Sequence, residues 1–188
     1  MRSTALVAAA LSCWVAAAPA LGASSASAHR ARVYAIGDSV MIDAKPDLER
    51  AISGITVNAD VSRQVDSGLR ILQRQNQTNT IAQTTVFGLG TNGTLTRAQL
   101  RRAIRLTAGH KLVMITTHCP YCDWTSSNNR TVRALCTHAR HCWIAAFQAR
   151  ARKHPQWFTD DGVHMQPRTT GTRRYAAIVK QARRSASG

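Results

Sequence analysis

From residue 32 onward, short apolar runs of strand length alternate with stretches of helical spacing, and this alternation constrains the chain more than any other feature. Residues 32–36 read as a buried strand that runs into the turn-like Gly37-Asp38-Ser39. Residues 55–61 alternate apolar and polar side chains as a second strand, and 84–89, 111–117 and 143–147 supply three more. Helical character lies between them, at 46–52, around Val65, Leu69 and Leu72, at 97–107, from near Asn129, and at 148–154. A last helix is expected over 172–184. Strands joined by helical crossovers pair in parallel and carry helices on both faces. The expected fold is therefore an α/β three-layer sandwich around a five-stranded parallel sheet.

Residues 1–28 stand apart from this pattern. A basic Arg2, an apolar stretch to Ala20 and the small-residue exit Ala26-Ser27-Ala28 describe a secretory signal peptide. Residues 29–188 are then expected to form a single exported domain with no transmembrane segment, in the secreted, periplasmic or cell-envelope space. Four of the five cysteines, Cys119, Cys122, Cys136 and Cys142, lie in that part, an even set that favours disulfides in an oxidising compartment. Lys and Arg number 25 against nine Asp and Glu, a formal net charge of +16. Such a balance speaks to partners rather than to fold. No aromatic-interleaved basic stripe of the kind used by single-strand nucleic-acid binders is present, so no nucleic acid is expected; an anionic envelope polymer is.

In open parallel sheets, function gathers in the loops after the strands' carboxyl ends. After the first strand comes Gly37-Asp38-Ser39-Val40, a serine on a tight strand-to-helix turn whose own amide also points into the site. Met41 stands where the second glycine of a G-x-S-x-G elbow would be. After the third strand comes Gly90-Thr91-Asn92-Gly93. Near the C-terminus, Asp161 precedes His164 by three residues, a spacing that lets one loop present an imidazole and orient its other nitrogen. Each block alone is an ordinary turn.

Their order on a parallel α/β chain resembles the SGNH, or GDSL-type, hydrolase family, and the resemblance covers about residues 32–182. With Trp157-Phe158 ahead of Asp161-Gly162-Val163-His164, the chain looks most like the extracytoplasmic SGNH domains of peptidoglycan O-acetyltransferases. The resemblance implies the SGNH/flavodoxin-like version of the sandwich. It also implies Ser39 as nucleophile, His164 as general base and Asp161 as the group that orients the imidazole. The oxyanion donors would be the Ser39 amide and the Asn92 side chain. The glycine many members carry after the second strand is absent, and Ser62 is the candidate substitute. No metal and no organic cofactor is implied.

Cys119-Pro120-Tyr121-Cys122 leaves a second reading open, because a C-x-x-C after a strand is where thiol oxidoreductases keep their reactive pair. This motif, however, follows the fourth strand and lacks the cis-proline partner of that fold. Cys119 and Cys122 lie at one edge of the sheet and Cys136 and Cys142 at the other. A strand separates those edges by about 20 Å, too far for a disulfide, so the expected pairs are Cys119–Cys122 and Cys136–Cys142. The same separation argues against a zinc site that draws on these cysteines with His118, His138 or His141. Trp124 is a candidate wall for the acyl or sugar group. The leading expectation is a secreted serine esterase that removes small acyl groups, such as O-acetyl, from an envelope carbohydrate or another small ester. Hydrolysis leads because no integral-membrane acyltransferase module accompanies the motifs. The alternatives are an O-acyltransferase using the same triad with a separate donor, a thiol oxidoreductase, and a non-catalytic basic envelope-binding module.

Overall fold

The computed structural model of the chain describes residues 32–186, so the expected signal peptide at 1–28 lies outside the described residues. Strands β1 (Val33–Gly37), β2 (Ile55–Ala59), β3 (Thr84–Gly88), β4 (Lys111–Ile115) and β5 (Cys142–Ala145) form one sheet in the order β2-β1-β3-β4-β5. All four pairings are parallel. Helices α1 (Ser39–Ala51), α2 (Val65–Gln77), α3 (Arg97–Leu106), α4 (Thr125–Leu135), α5 (Phe147–Ala151) and α6 (Thr170–Ser185) flank it.

The period-two alternation of the strands divides the core. Ala35, Val86 and Val113 face α1 and α6, where Met41, Leu48, Tyr175 and Val179 cover them. Their neighbours Ile36, Phe87 and Met114 face the other way, onto Leu69, Leu72, Leu100 and Val132 of α2, α3 and α4. β3 is buried along its whole length, its Thr84 and Thr85 included, although only Val86 and Phe87 are large apolar residues. The edge strand β2 is only partly covered, and its mixed sequence reflects that.

Several boundaries differ from the sequence expectation, β2, β4 and α5 by ending two or three residues early, and three others by where an element starts. α1 starts at Ser39 rather than near residue 46, because the Asp38 side chain accepts the Val40 amide and caps the helix there. Pro46 therefore sits inside the helix rather than in its first turn, the position proline tolerates best. The buried Met41, Ala44 and Leu48 hold the helix against the sheet despite the lost N–H. α4 starts at Thr125, four residues before Asn129. β5 starts at Cys142 and ends at Ala145, and Phe147 opens α5, its ring 4.8 Å from that of Tyr175.

The chain leaves β1 toward β2 on one side and later returns to β3 on the other. This reversal opens a crevice at the carboxyl ends of β1 and β3, where α/β sheets bind ligands. Gly37 and Gly88 are register partners at that edge, so the segments following them leave the sheet side by side. Buried Asp47 ties α1 to α6 by accepting the Thr172 hydroxyl at 2.6 Å. Disulfides join Cys136 to Cys142, across the start of β5, and Cys119 to Cys122, in the loop after β4.

A Cβ on Gly37 would lie 2.4 Å from Met41 Cβ, an atom that no side-chain rotation can move. Gly37→Ala is expected to push α1 off β1 and to cost at least ~1–3 kcal/mol, the usual range for overpacking. Urea unfolding of the variant beside the parent chain measures it, and an unchanged midpoint contradicts the packing described.

Candidate active site

Ser39 opens α1 directly after β1, with its backbone amide at the helix N-terminus. His164 lies in the loop between α5 and α6, 125 residues away in sequence, and its Nε2 stands 2.8 Å from Ser39 Oγ. Behind it, His164 Nδ1 is 2.6 Å from Asp161 Oδ2. The other oxygen, Asp161 Oδ1, accepts the Val163 and His164 amides, each at 2.9 Å, so the same carboxylate shapes the loop and aims the ring. Partial burial raises the Asp161 carboxyl, but hydrogen bonds from the His164 ring, the His164 and Val163 amides and Thr159 hold it well below the usual carboxylate range. An ionised Asp161 can only accept. His164 Nδ1 is then the protonated nitrogen, and Nε2 is left to accept from the Ser39 hydroxyl. The sequence-predicted Ser39, His164 and Asp161 thus form one hydrogen-bonded line. Asp161 and His164 keep 49% and 42% of their side-chain surface exposed, so the site is shallow and open.

Asn92 lies in the loop after β3, beside the Ser39 turn. Its Nδ2 is buried and has no hydrogen-bond partner. An unpaired buried donor is rare enough to call for a reason, and a transient oxygen ligand would supply one. Gly90, two residues earlier, has φ +122°, a left-handed conformation that favours glycine. Ser62 is exposed, with φ 54°, on the loop after β2; the contact it makes there is through its carbonyl, which accepts from Gln64. Trp124 is half-buried just ahead of α4, and its indole N–H donates to the Thr91 carbonyl at 3.2 Å, a bracing contact on the Asn92 loop. The Cys119–Cys122 loop lies between the two halves of the site. Cys122 Sγ is 3.8 Å from the Thr91 carbonyl, and Pro120 and Tyr121 pack against Gly162 of the His164 loop. Among the described residues, no group of three or more His, Cys, Asp and Glu converges as metal ligands would.

Three supporting residues were not foreseen from sequence. Asp43, one helical turn after Ser39, accepts the Met165 amide at 3.0 Å and so fastens the His164 loop to the helix that carries Ser39. Burial raises its carboxyl. The i, i+4 spacing from Ser39 was the available signal. Asn128 accepts the Leu95 amide and donates to the Gly90 and Gly93 carbonyls, clasping the loop that carries Asn92. Asn129 bonds both the amide and the carbonyl of Thr117, just ahead of the disulfide loop. Nothing local marks either asparagine, since each acts on a segment distant in sequence.

No family model matches the chain. Among curated proteins, YrhL of Bacillus subtilis, whose name assigns it provisionally to the peptidoglycan O-acetyltransferases, is 29% identical over 81% of the chain. The peptidoglycan O-acetyltransferase OatA of Listeria monocytogenes is 28% identical over 79%. The chain spans about a quarter of each, 24% and 23%. Among solved structures, the C-terminal catalytic domain of peptidoglycan O-acetyltransferase A from Streptococcus pneumoniae superposes with TM-score 0.75 at 22% identity. That match covers 82% of this chain and 93% of that one. The chain has the SGNH (GDSL-type) hydrolase fold. A family 3 carbohydrate esterase from Talaromyces cellulolyticus shares this SGNH fold at TM-score 0.60 and 16% identity, covering 82% of this chain and 97% of its own. The sequence relatives of this SGNH domain are peptidoglycan O-acetyltransferases, and fold and relatives together are those of enzymes that transfer acyl groups or cleave esters.

Two experiments follow from this geometry. Burial pushes the Asp38 carboxyl, beside Ser39, up to about 6, although Thr91 and the Val40 amide partly offset it. A folded-state value above the unfolded one gives a stability contribution that is full at low pH and lost as pH rises through about 6. Asp38→Asn keeps an acceptor for the Val40 amide, so it is expected to stabilise the fold at about pH 7 by on the order of 2–3 kcal/mol. The gain should shrink toward zero near about pH 3, where Asp38 is neutral in both states. Thermal unfolding of both proteins across that range measures it, and a pH-independent difference contradicts the assignment. Separately, Asn128→Ala strands three backbone groups, at about 1–3 kcal/mol each. It should lower both the melting temperature and any activity that depends on the Asn92 loop, and an unaltered melting curve contradicts the clasp.

Proposed function

We propose that the chain is an acyl-transferring serine enzyme, in which Ser39 takes an acetyl or similarly small acyl group from an ester and passes it to a carbohydrate hydroxyl. The observation that carries this reading is the Ser39 Oγ–His164 Nε2 contact at 2.8 Å with Asp161 behind the ring. His164 Nε2 removes the hydroxyl proton as Ser39 Oγ attacks the ester carbonyl, and the C–O bond to the leaving alcohol breaks as His164 returns that proton to it. The negative oxygen of the intermediate is met by the Ser39 amide and the Asn92 Nδ2, and Ser62 is a weaker candidate for a third donor. In the second half, His164 deprotonates the acceptor hydroxyl as its oxygen bonds the acyl carbon, and the Ser39 Oγ–acyl bond breaks as His164 returns that proton to Ser39 Oγ. Asp161 keeps the imidazole in the required tautomer throughout.

The names of the sequence relatives favour transfer to a peptidoglycan sugar over the hydrolysis expected from sequence. Hydrolysis is the same chemistry with water as acceptor, and the exposed Asp161–His164 pair supports it as the second reading, because water reaches such a site freely. A shallow site also suits a small acyl group on a polymer better than a long free chain, which needs an enclosed apolar pocket. Export to the cell envelope fits the two disulfides. No helix among the described residues is long and apolar enough to cross a membrane.

Turnover of a chromogenic acetate ester should fall to background in Ser39→Ala, a loss of roughly 10³-fold or more. Asn92→Ala should lose about 10²–10³-fold in kcat with an intact fold. Full activity in Ser39→Ala removes the reading. Adding a chitooligosaccharide separates the two acceptors: acetylated sugar indicates transfer, and free acetate alone indicates hydrolysis.

A further inference from the structure

The two signs of charge are segregated along the strand axis. Of the nine acidic residues, all but Asp47 and Glu49 lie in loops leaving the strands' carboxyl ends, in the His164 loop, or in the opening turns of α1 and α2. Asp47 and Glu49 are paired within the molecule, with Arg50 and Lys45. The opposite pole, where strands begin and the long helices finish, carries cations and, apart from Asp47 and Glu49 with their partners in the last turns of α1, no acids among the described residues. α2, α3, α4 and α6 each place arginine in the last turn. Complementing the helix dipole accounts for those. It does not account for the cations Arg32 and Lys111, which stand with His141 at strand starts. With Arg183 these three line an open groove of about 890 Å³ that runs past the starts of β1, β3 and β4 and has no acidic side chain in its wall.

We infer that this pole is a docking surface for a linear polyanion without aromatic groups, set at the far end of the molecule from Ser39. The large apolar side chains left exposed, Ile42, Val61 and Tyr121, all lie at the other pole, one turn along α1 and in the loops after β2 and β4. The basic pole therefore offers nothing to insert into a bilayer and no exposed Phe, Tyr or Trp ring on which a nucleic-acid base would stack. What it offers is guanidinium forks and an ammonium group, which recognise repeated phosphate or carboxylate groups. Docked this way, the acid-bearing catalytic edge points away from the polyanion. The polymer serves as an anchor, and the ester substrate is a separate, less charged strand. The inference extends the envelope placement proposed above, but it concerns binding and not turnover.

The test is the affinity of the purified chain for poly(glycerol phosphate) across a salt series. The variant Arg32→Gln/Lys111→Gln/Arg184→Gln, whose Arg184 is exposed in the last turn of α6 beside Arg183, is compared with Arg97→Gln/Arg101→Gln/Arg130→Gln, which removes the same formal charge nearer the catalytic pole or on mid-helix surface. The first should bind at least about tenfold more weakly, and the slope of log affinity against log salt should fall by roughly 2–3, as three anion contacts are lost. The second should bind much as the parent does. Both should keep parental turnover of the chromogenic acetate, so a failed docking surface and a failed esterase site give different results. Where the Lys111 change disturbs β4, seen in the melting curve, Arg32→Gln/Arg184→Gln carries the comparison. Equal losses in the two triples, unchanged binding in the first, or tighter binding to phosphatidylserine vesicles or oligothymidine than to the polymer each overturn the proposal.

Discussion

The Ser39–His164 hydrogen bond joins two segments 125 residues apart, and it exists only because α1 and the chain leading into α6 are locked together. The lock has several parts. Asp43 holds the Met165 amide, Asp47 holds the Thr172 hydroxyl, and Met41, Leu48, Tyr175 and Val179 fill the space between helix and sheet. Ser39, Asp43 and Asp47 follow one another at one-turn intervals on α1, so a single helix face carries Ser39 and both anchors of the segment that leads through His164 into α6. A site of this kind tolerates little slack, because a misplacement of about 1 Å can cost on the order of 10²-fold in rate.

The disulfide loop belongs to the same argument. Cys119-Pro120-Tyr121-Cys122 has the sequence of a redox pair, yet its position gives it mechanical work. It touches the Thr91 carbonyl on one side and Gly162 on the other, between the loop of the proposed oxyanion donor and the loop of the proposed base. Trp124 and Asn128 extend that brace into the opening turns of α4. The Asn92 loop is thus clasped by groups from α4 and the segment before it, and the Asn92 Nδ2 itself is buried without a hydrogen-bond partner.

What the sequence disclosed and what it concealed divide along physical lines. The sheet was legible because a parallel sheet covered on both faces demands apolar runs such as residues 112–115. The Ser39, Asn92 and Asp161–His164 blocks were legible because each is local; Asp161 and His164 sit three residues apart and bond to one another. Asp43, Asn128 and Asn129 were not, because their partners lie in segments distant in sequence and each residue alone is an ordinary helical polar group. Pro46 misled the start of α1 because its backbone cost is local, whereas the packing that outweighs it is tertiary. The net charge of +16 was plain, but its sorting to one pole became visible only once strand direction was known.

The central claim, that Ser39 carries the acyl group in a covalent intermediate, is tested most directly by intact-protein and peptide mass spectrometry on samples quenched early in turnover of an acetyl ester. The account predicts one added acetyl group per chain, located on the peptide that contains Ser39 and chased off by a carbohydrate acceptor or by water. Acetylation confined to residues other than Ser39 would contradict the account.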